Sequence, residues 1–108
     1  MTWTSLCELN ELEPDKGKYV EIGGYQLAVF LHHDKVFVMD NYCPHAGGNL
    51  AGGMVDEGGC AICPWHQWAF RVENGQLRDA PGVTVKTYPT RLLQYAGKTL
   101  VQADLPVY

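Results

Sequence analysis

A chain of 108 residues, 46% of them hydrophobic, has material for one apolar core and none for a catalytic domain beside it. Its formal net charge of −4, with no run of Lys or Arg, excludes the positive footprint that nucleic acid or an anionic membrane surface requires and leaves a protein as the expected partner. The first residues carry neither a basic n-region nor an apolar h-region, and no apolar run approaches the roughly 18 residues that span a bilayer, so the expected compartment is the cytoplasm.

Along the chain, apolar residues recur at strand spacing between turn signals, the pattern of a small all-β sandwich or barrel without amphipathic helices. Glu8, Glu11, Glu13 and Asp15 make an acidic N-terminal stretch, read as solvated surface that could also steer a basic partner. Strands over residues 18–22 and 25–31 flank Gly23-Gly24, a pair suited to a two-residue hairpin turn. A third strand covers residues 35–39, after His33-Asp34. His32, His33 and Asp34 are the residue types of a mononuclear iron triad, but neighbours on a strand point to opposite faces, so a polar turn is expected there. Strands over 68–72 and 76–78 join through Asn74-Gly75, and a last pair, 83–94 and 98–103, turns near Ala96-Gly97.

Between the strands lie two Gly/Pro-rich segments that cannot pack as regular strands, near 43–53 and 63–68. They contain Cys43-Pro-His45 and Cys63-Pro-Trp-His66, so each loop, expected to close a hairpin, offers one thiolate and one imidazole. Cysteines beside histidines in Pro-bounded loops read as metal binding in a reducing compartment, in preference to disulfides. Two chemistries use this set: a tetrahedral Cys₂His₂ zinc site, and a pair of sulfide-bridged irons with two Cys on one and two His on the other. Zinc sites usually build on Cys pairs two to four residues apart, whereas Cys43 and His45 are separated by one residue and suit two different metals. Cys60-Ala-Ile-Cys63 also has the spacing of a redox dithiol, but it leads into a Pro loop instead of a helix. Cys60 is therefore read as a small buried hydrophobe, as is Cys7.

The C-x-H…C-x-x-H arrangement resembles the Rieske family, and the resemblance extends to Gly47-Gly48 and Leu50, to Trp68 and Phe70, and to Asp79-Ala-Pro-Gly82. It implies one domain over residues 1–108, an antiparallel β sandwich or barrel with a small cluster-binding subdomain made of the two loops. It implies one [2Fe-2S] cluster per chain, with Cys43 and Cys63 on the inner iron and His45 and His66 on the outer, exposed one. The implied activity is one-electron transfer between protein partners, a reductase and a terminal oxidoreductase or large subunit, without independent catalysis. Pro44, Ala46, Leu50, Pro64, Trp65 and Pro81 form an expected apolar rim for docking, with Trp65 as anchor or as shield of the cluster.

Two subgroups of the family fit this length, the small subunit of NAD(P)H-dependent nitrite reductases and the ferredoxin component of ring-hydroxylating oxygenase systems. Gln67 stands where oxygenase ferredoxins usually carry Gly, and Val85-Lys-Thr-Tyr-Pro89 is similar to the nitrite reductase subunit, which is the expectation. Glycine would reach positive φ freely at that position, and glutamine only with strain. High-potential members of the family carry a disulfide between the loops and Ser and Tyr hydroxyls on cluster sulfurs. Aligned on the ligands, this chain has Gly48 and Trp65 at the disulfide positions and Trp68 and Phe70 at the hydroxyl positions, which implies a low reduction potential.

Overall fold

The computed structural model describes residues 2–42, 49–64 and 67–106. Among the described residues eleven strands form three antiparallel sheets. The outer sheet joins β1 (Trp3–Glu8), β11 (Lys98–Asp104) and β10 (Thr90–Tyr95), in that order. The middle sheet runs β2 (Gly17–Ile22), β3 (Tyr25–His32), β4 (Lys35–Asp40) and β9 (Thr87–Tyr88). The third runs β5 (Cys60–Ile62), β6 (Ala69–Arg71), β7 (Gln76–Leu77) and β8 (Ala80–Thr84).

The middle sheet is covered on both faces, which explains its unbroken apolar run. Strand side chains alternate between faces, and in β3 Leu27 and Val29 enter a core shared with Val101, Ala103 and Leu105 near the outer sheet. Ala28 and Phe30 enter the other core with Leu50, Cys63, Phe70 and Leu77. Strand β4 divides in the same way, Val36 and Val38 to the first core and Met39 to the second. The second core fastens the third sheet, which carries one of the two Cys/His loops, to the rest of the molecule.

Three hairpins close through two-residue turns with both central residues at positive φ, the geometry that matches strand twist. They are Gly23-Gly24 at 57° and 84°, His33-Asp34 at 49° and 63°, and Ala96-Gly97 at 52° and 79°. Only the first is built wholly of residues that reach this region without cost. Ala96 holds a left-handed conformation that costs an ordinary residue about 1 kcal/mol and that asparagine tolerates better. Ala96→Asn is expected to raise the melting temperature, because the site is exposed and the change touches no core contact; a thermal melt with an unchanged or lower midpoint would contradict it.

Two differences from the sequence reading have local causes. The strand pattern read from Lys18 onward misses β1, whose pairing partner β11 is distant in sequence and whose register shifts between Ser5 and Cys7, breaking the two-residue period. The expected strand over 83–94 is instead three elements, β8, β9 and β10, one in each sheet, so this stretch of chain stitches the layers together. The second Cys/His loop springs from the four-stranded sheet β5–β8.

Candidate metal centre

Both Cys/His loops rise from antiparallel stems. The first is closed by the bridge between Tyr42 and Asn49, and the second by the pairing of Ile62 with Ala69 between β5 and β6. After Asn49 the chain makes a 3₁₀ turn, Leu50–Gly52, held from below by Asn41. The Asn41 Oδ1 accepts the Ala51 amide at 2.6 Å, and its carbonyl accepts the Leu50 amide at 3.3 Å. Asn41 was not among the residues singled out from the sequence, although Asn is suited to capturing nearby amides.

The two stems meet. The Ile62 amide donates to the Met54 carbonyl at 2.8 Å, and Val55 bridges Ala61. Cys63 is fully buried in the same apolar cluster as Leu50 and Phe70. Its amide donates to the Trp68 carbonyl and its carbonyl accepts the Gln67 amide, both at 2.8 Å, so the loop closes on itself across residues 63–68. That closure places Gln67 at φ 57°, the left-handed conformation for which a glycine would be the unstrained choice.

Of the predicted ligands, Cys63 is described, and Cys43, His45 and His66 lie outside the described residues, as do Pro44, Ala46 and Trp65. The part on view suits a sulfur-ligated iron. A soft donor sits at the junction of both stems, in an apolar pocket that keeps water from the inner side of a metal centre. Pro64 is exposed beside Cys63, and Pro81 lies in β8. Leu50 corrects the expected docking rim: with no exposed surface it is part of the core beneath the first loop and cannot touch a partner.

Of the other cysteines, Cys60 is buried as expected and Cys7 only partly so. Cys60 is buried on β5, and burial, with Asp56 next in effect, raises its thiol pKa. Cys7 is half-buried on β1, where burial first and Glu11 second push its pKa up to about 11, against a smaller pull from Lys18, so the thiol stays neutral at physiological pH. Asp56 accepts the Cys60 amide at 3.0 Å and pairs with Arg78 at 2.9 Å, anchoring the start of β5. These contacts hold its carboxyl below the usual range, the Cys60 amide first.

His32 and Asp34 do not converge on one ion. His32 Nδ1 lies 2.6 Å from Asp15 Oδ1, and His33-Asp34 form the turn. Among the described residues no group of three His, Cys, Asp or Glu could hold a metal. The acidic stretch is partnered locally, Glu11 capping its own 3₁₀ turn and lying 3.8 Å from Lys18, and Glu13 pairing with Lys16 at 3.0 Å. Among the described residues no helix is long and apolar enough to cross a membrane.

The sequence profile of the Rieske [2Fe-2S] domain matches residues 2–89. A cholesterol 7-desaturase of Hemicentrotus pulcherrimus is 38% identical over 81 residues, 73% of this chain, and the chain spans only 17% of that relative's length. The ferredoxin component of the alkene monooxygenase system of Xanthobacter autotrophicus is 26% identical over 102 residues, covering 94% of this chain and 82% of the relative. A crystal structure assigned as an NADH-dependent nitrite reductase small subunit from Mycobacterium tuberculosis superposes with a TM-score of 0.83 at 30% identity, covering 98% of this chain and 97% of that one. Between zinc and iron, the two chemistries open to these ligand types, the profile decides for iron: the chain belongs to the Rieske [2Fe-2S] domain family and carries electrons on a [2Fe-2S] cluster.

Proposed function

We propose that this chain is the electron-carrying small subunit of a cytoplasmic NAD(P)H-dependent nitrite reductase, with Cys43 and Cys63 on the inner iron and His45 and His66 on the outer. The observation that carries the reading is the end-to-end correspondence with the Mycobacterium tuberculosis subunit, chain for chain, where the desaturase correspondence is confined to a small part of a longer protein. Gln67 in place of the glycine usual in oxygenase ferredoxins supports it. The similarly extensive match to a monooxygenase ferredoxin component favours a second reading, delivery of electrons to an oxygenase.

When bound, the cluster takes up and gives back one electron. The protein's part is to hold its ligands still and to govern access. Leu50, Phe70 and the buried Cys63 exclude water on the inner side, while the paired stems fix where each loop can reach. Pro64 offers an exposed apolar contact next to Cys63, on the side from which a partner would approach.

The test reconstitutes cluster-loaded protein with a nitrite reductase large subunit and NADH. Nitrite consumption is expected to fall to background when this chain is withheld and to recover when it is returned. Full nitrite turnover without the chain, together with electron delivery from an oxygenase reductase to its terminal oxygenase only when the chain is present, would replace the first reading with the second.

A further inference from the structure

Two glycines stand where the loop stems cross, and neither is there for its φ. Gly53 has φ −98° and ψ −169°, extended backbone that any residue adopts. Space is what excludes a side chain. A methyl group on Gly53 would overlap the Ile62 carbonyl oxygen and lie 3.1 Å from the carbonyl carbon. One on Gly17 would overlap the Ala51 carbonyl oxygen and lie 2.7 Å from the Ala51 Cα. In both cases the obstacle is backbone, which cannot swing aside as a side-chain tip can.

The hydrogen bonds show what these close approaches join. The Gly17 amide donates to the Gly53 carbonyl at 3.2 Å, the Val55 amide donates to the Asp15 carbonyl at 2.8 Å, and Lys16 bridges Met54. Residues 15–17, entering the middle sheet, thus form a rail along which 53–55 is laid. On its other side the same segment carries Ile62, the residue before Cys63. Gly53 is the point at which the rail, the end of the first loop and the base of the second come within backbone contact.

We propose that Gly53, backed by Gly17, is a positioning residue that sets the spacing of the two cluster loops, so that the donor set is assembled by backbone contact before iron arrives. This rests on the reading that both loops carry ligands. A methyl at Gly53 cannot be fitted without parting Gly53 from the Ile62 carbonyl, one residue before Cys63, and so changing the spacing of the two stems. Gly52 provides the comparison within the same turn. A methyl there would meet the Asn49 Nδ2 at 3.4 Å and the Pro64 Cγ at 3.9 Å, ordinary contacts that require no movement.

The experiment loads wild-type, Gly53→Ala and Gly52→Ala proteins with the cluster and records the EPR g values, the midpoint potential and the rate of cluster loss to a chelator. Gly53→Ala is expected to shift and broaden the g values and to lose its cluster about ten- to a hundredfold faster, the scale of effect seen when support around metal ligands is removed. Gly52→Ala is expected to match wild type. Wild-type g values, potential and retention in Gly53→Ala would overturn the proposal. A companion measurement covers the case in which Gly53→Ala does not fold: hydrogen exchange of cluster-free wild-type protein. The amides of Gly17, Val55 and Ile62 are expected to stay protected without iron, and their exchange at the rate of open loops would show that the cluster, not the glycine contact, holds the stems together. Absence of a Rieske signal from wild type and Gly52→Ala alike would instead indict the ligand reading, while the exchange data continue to report on the stems.

Discussion

Cys63→Ser is expected to yield protein without the visible absorption and without the iron of the parent, while Cys60→Ser, three residues away, keeps both. The contrast follows from position. Cys60 lies within β5, buried but outside both apolar clusters, and burial first and the Asp56 carboxylate next raise its thiol pKa. Iron is ligated by thiolate from the loops, and Cys60 stands in mid-strand, opposite Arg71 in the β5–β6 ladder, below the loop that carries Cys63. Cys63 has left the strand, its backbone closing the loop through Gln67 and Trp68, at the place where both stems converge. Serine in that place keeps the shape but offers a hard oxygen, which soft iron–sulfur ligation disfavours. His66→Ser supplies the second arm: under the proposed ligand set it removes one imidazole from the cluster, and the Rieske EPR signature is expected to vanish or to convert to another type. Retention of the unchanged signal in His66→Ser would remove that residue from the ligand set, and loss of iron in Cys60→Ser would return the Cys60/Cys63 pair to consideration as a functional dithiol.

How much of this was legible in sequence depended on whether the signal was local. Gly23-Gly24 and Ala96-Gly97 announce their turns because the backbone requirement sits in the residues themselves. The paired Cys/His spacing announces the chemistry for the same reason. Gln67 shows a requirement visible only in outline: its departure from glycine signalled strain, and the structure places it at positive φ as that strain demands. Strand β1 was not legible, because its stability comes from a partner at the opposite end of the chain and its bulge disrupts the period. Nor was the role of Leu50. A leucine in a Gly-rich loop looks like exposed apolar rim, and only the packing of the third sheet against the middle one turns it inward beside Phe30 and Met39. Gly17 and Gly53 belong to the same class, since the need for them lies in backbones that approach from elsewhere. Sequence therefore proposes the donors, and the tertiary structure shows the backbone contacts between the stems on which the loops stand.

The reduction potential is expected to fall in the lower part of the Rieske range, between about −150 and 0 mV, within limits of about −150 to +300 mV for such centres. Neutral imidazoles in place of two thiolates already make the added electron easier to accept than in an all-cysteine cluster, which sets the floor. What raises the potential further is hydrogen-bond donation to the cluster sulfurs, because each donor stabilises the reduced, more negative state. The positions aligned with such hydroxyls are Trp68 and Phe70. Phe70 is fully buried opposite Ala61 and Leu77, and Trp68 packs half-buried against the same apolar cluster, so neither brings a hydroxyl to the site. The described side chains packed around Cys63 are largely apolar, and low-dielectric surroundings penalise the extra charge. The net charge of −4 acts in the same direction. A potential in this range matches electrons drawn from NAD(P)H and opposes a role in oxidising quinols. Protein-film voltammetry at neutral pH checks it: a midpoint above about +100 mV, well into the upper part of the range, would mean that donors from the loop tips, and not the apolar wall beneath them, govern the electron affinity of this centre.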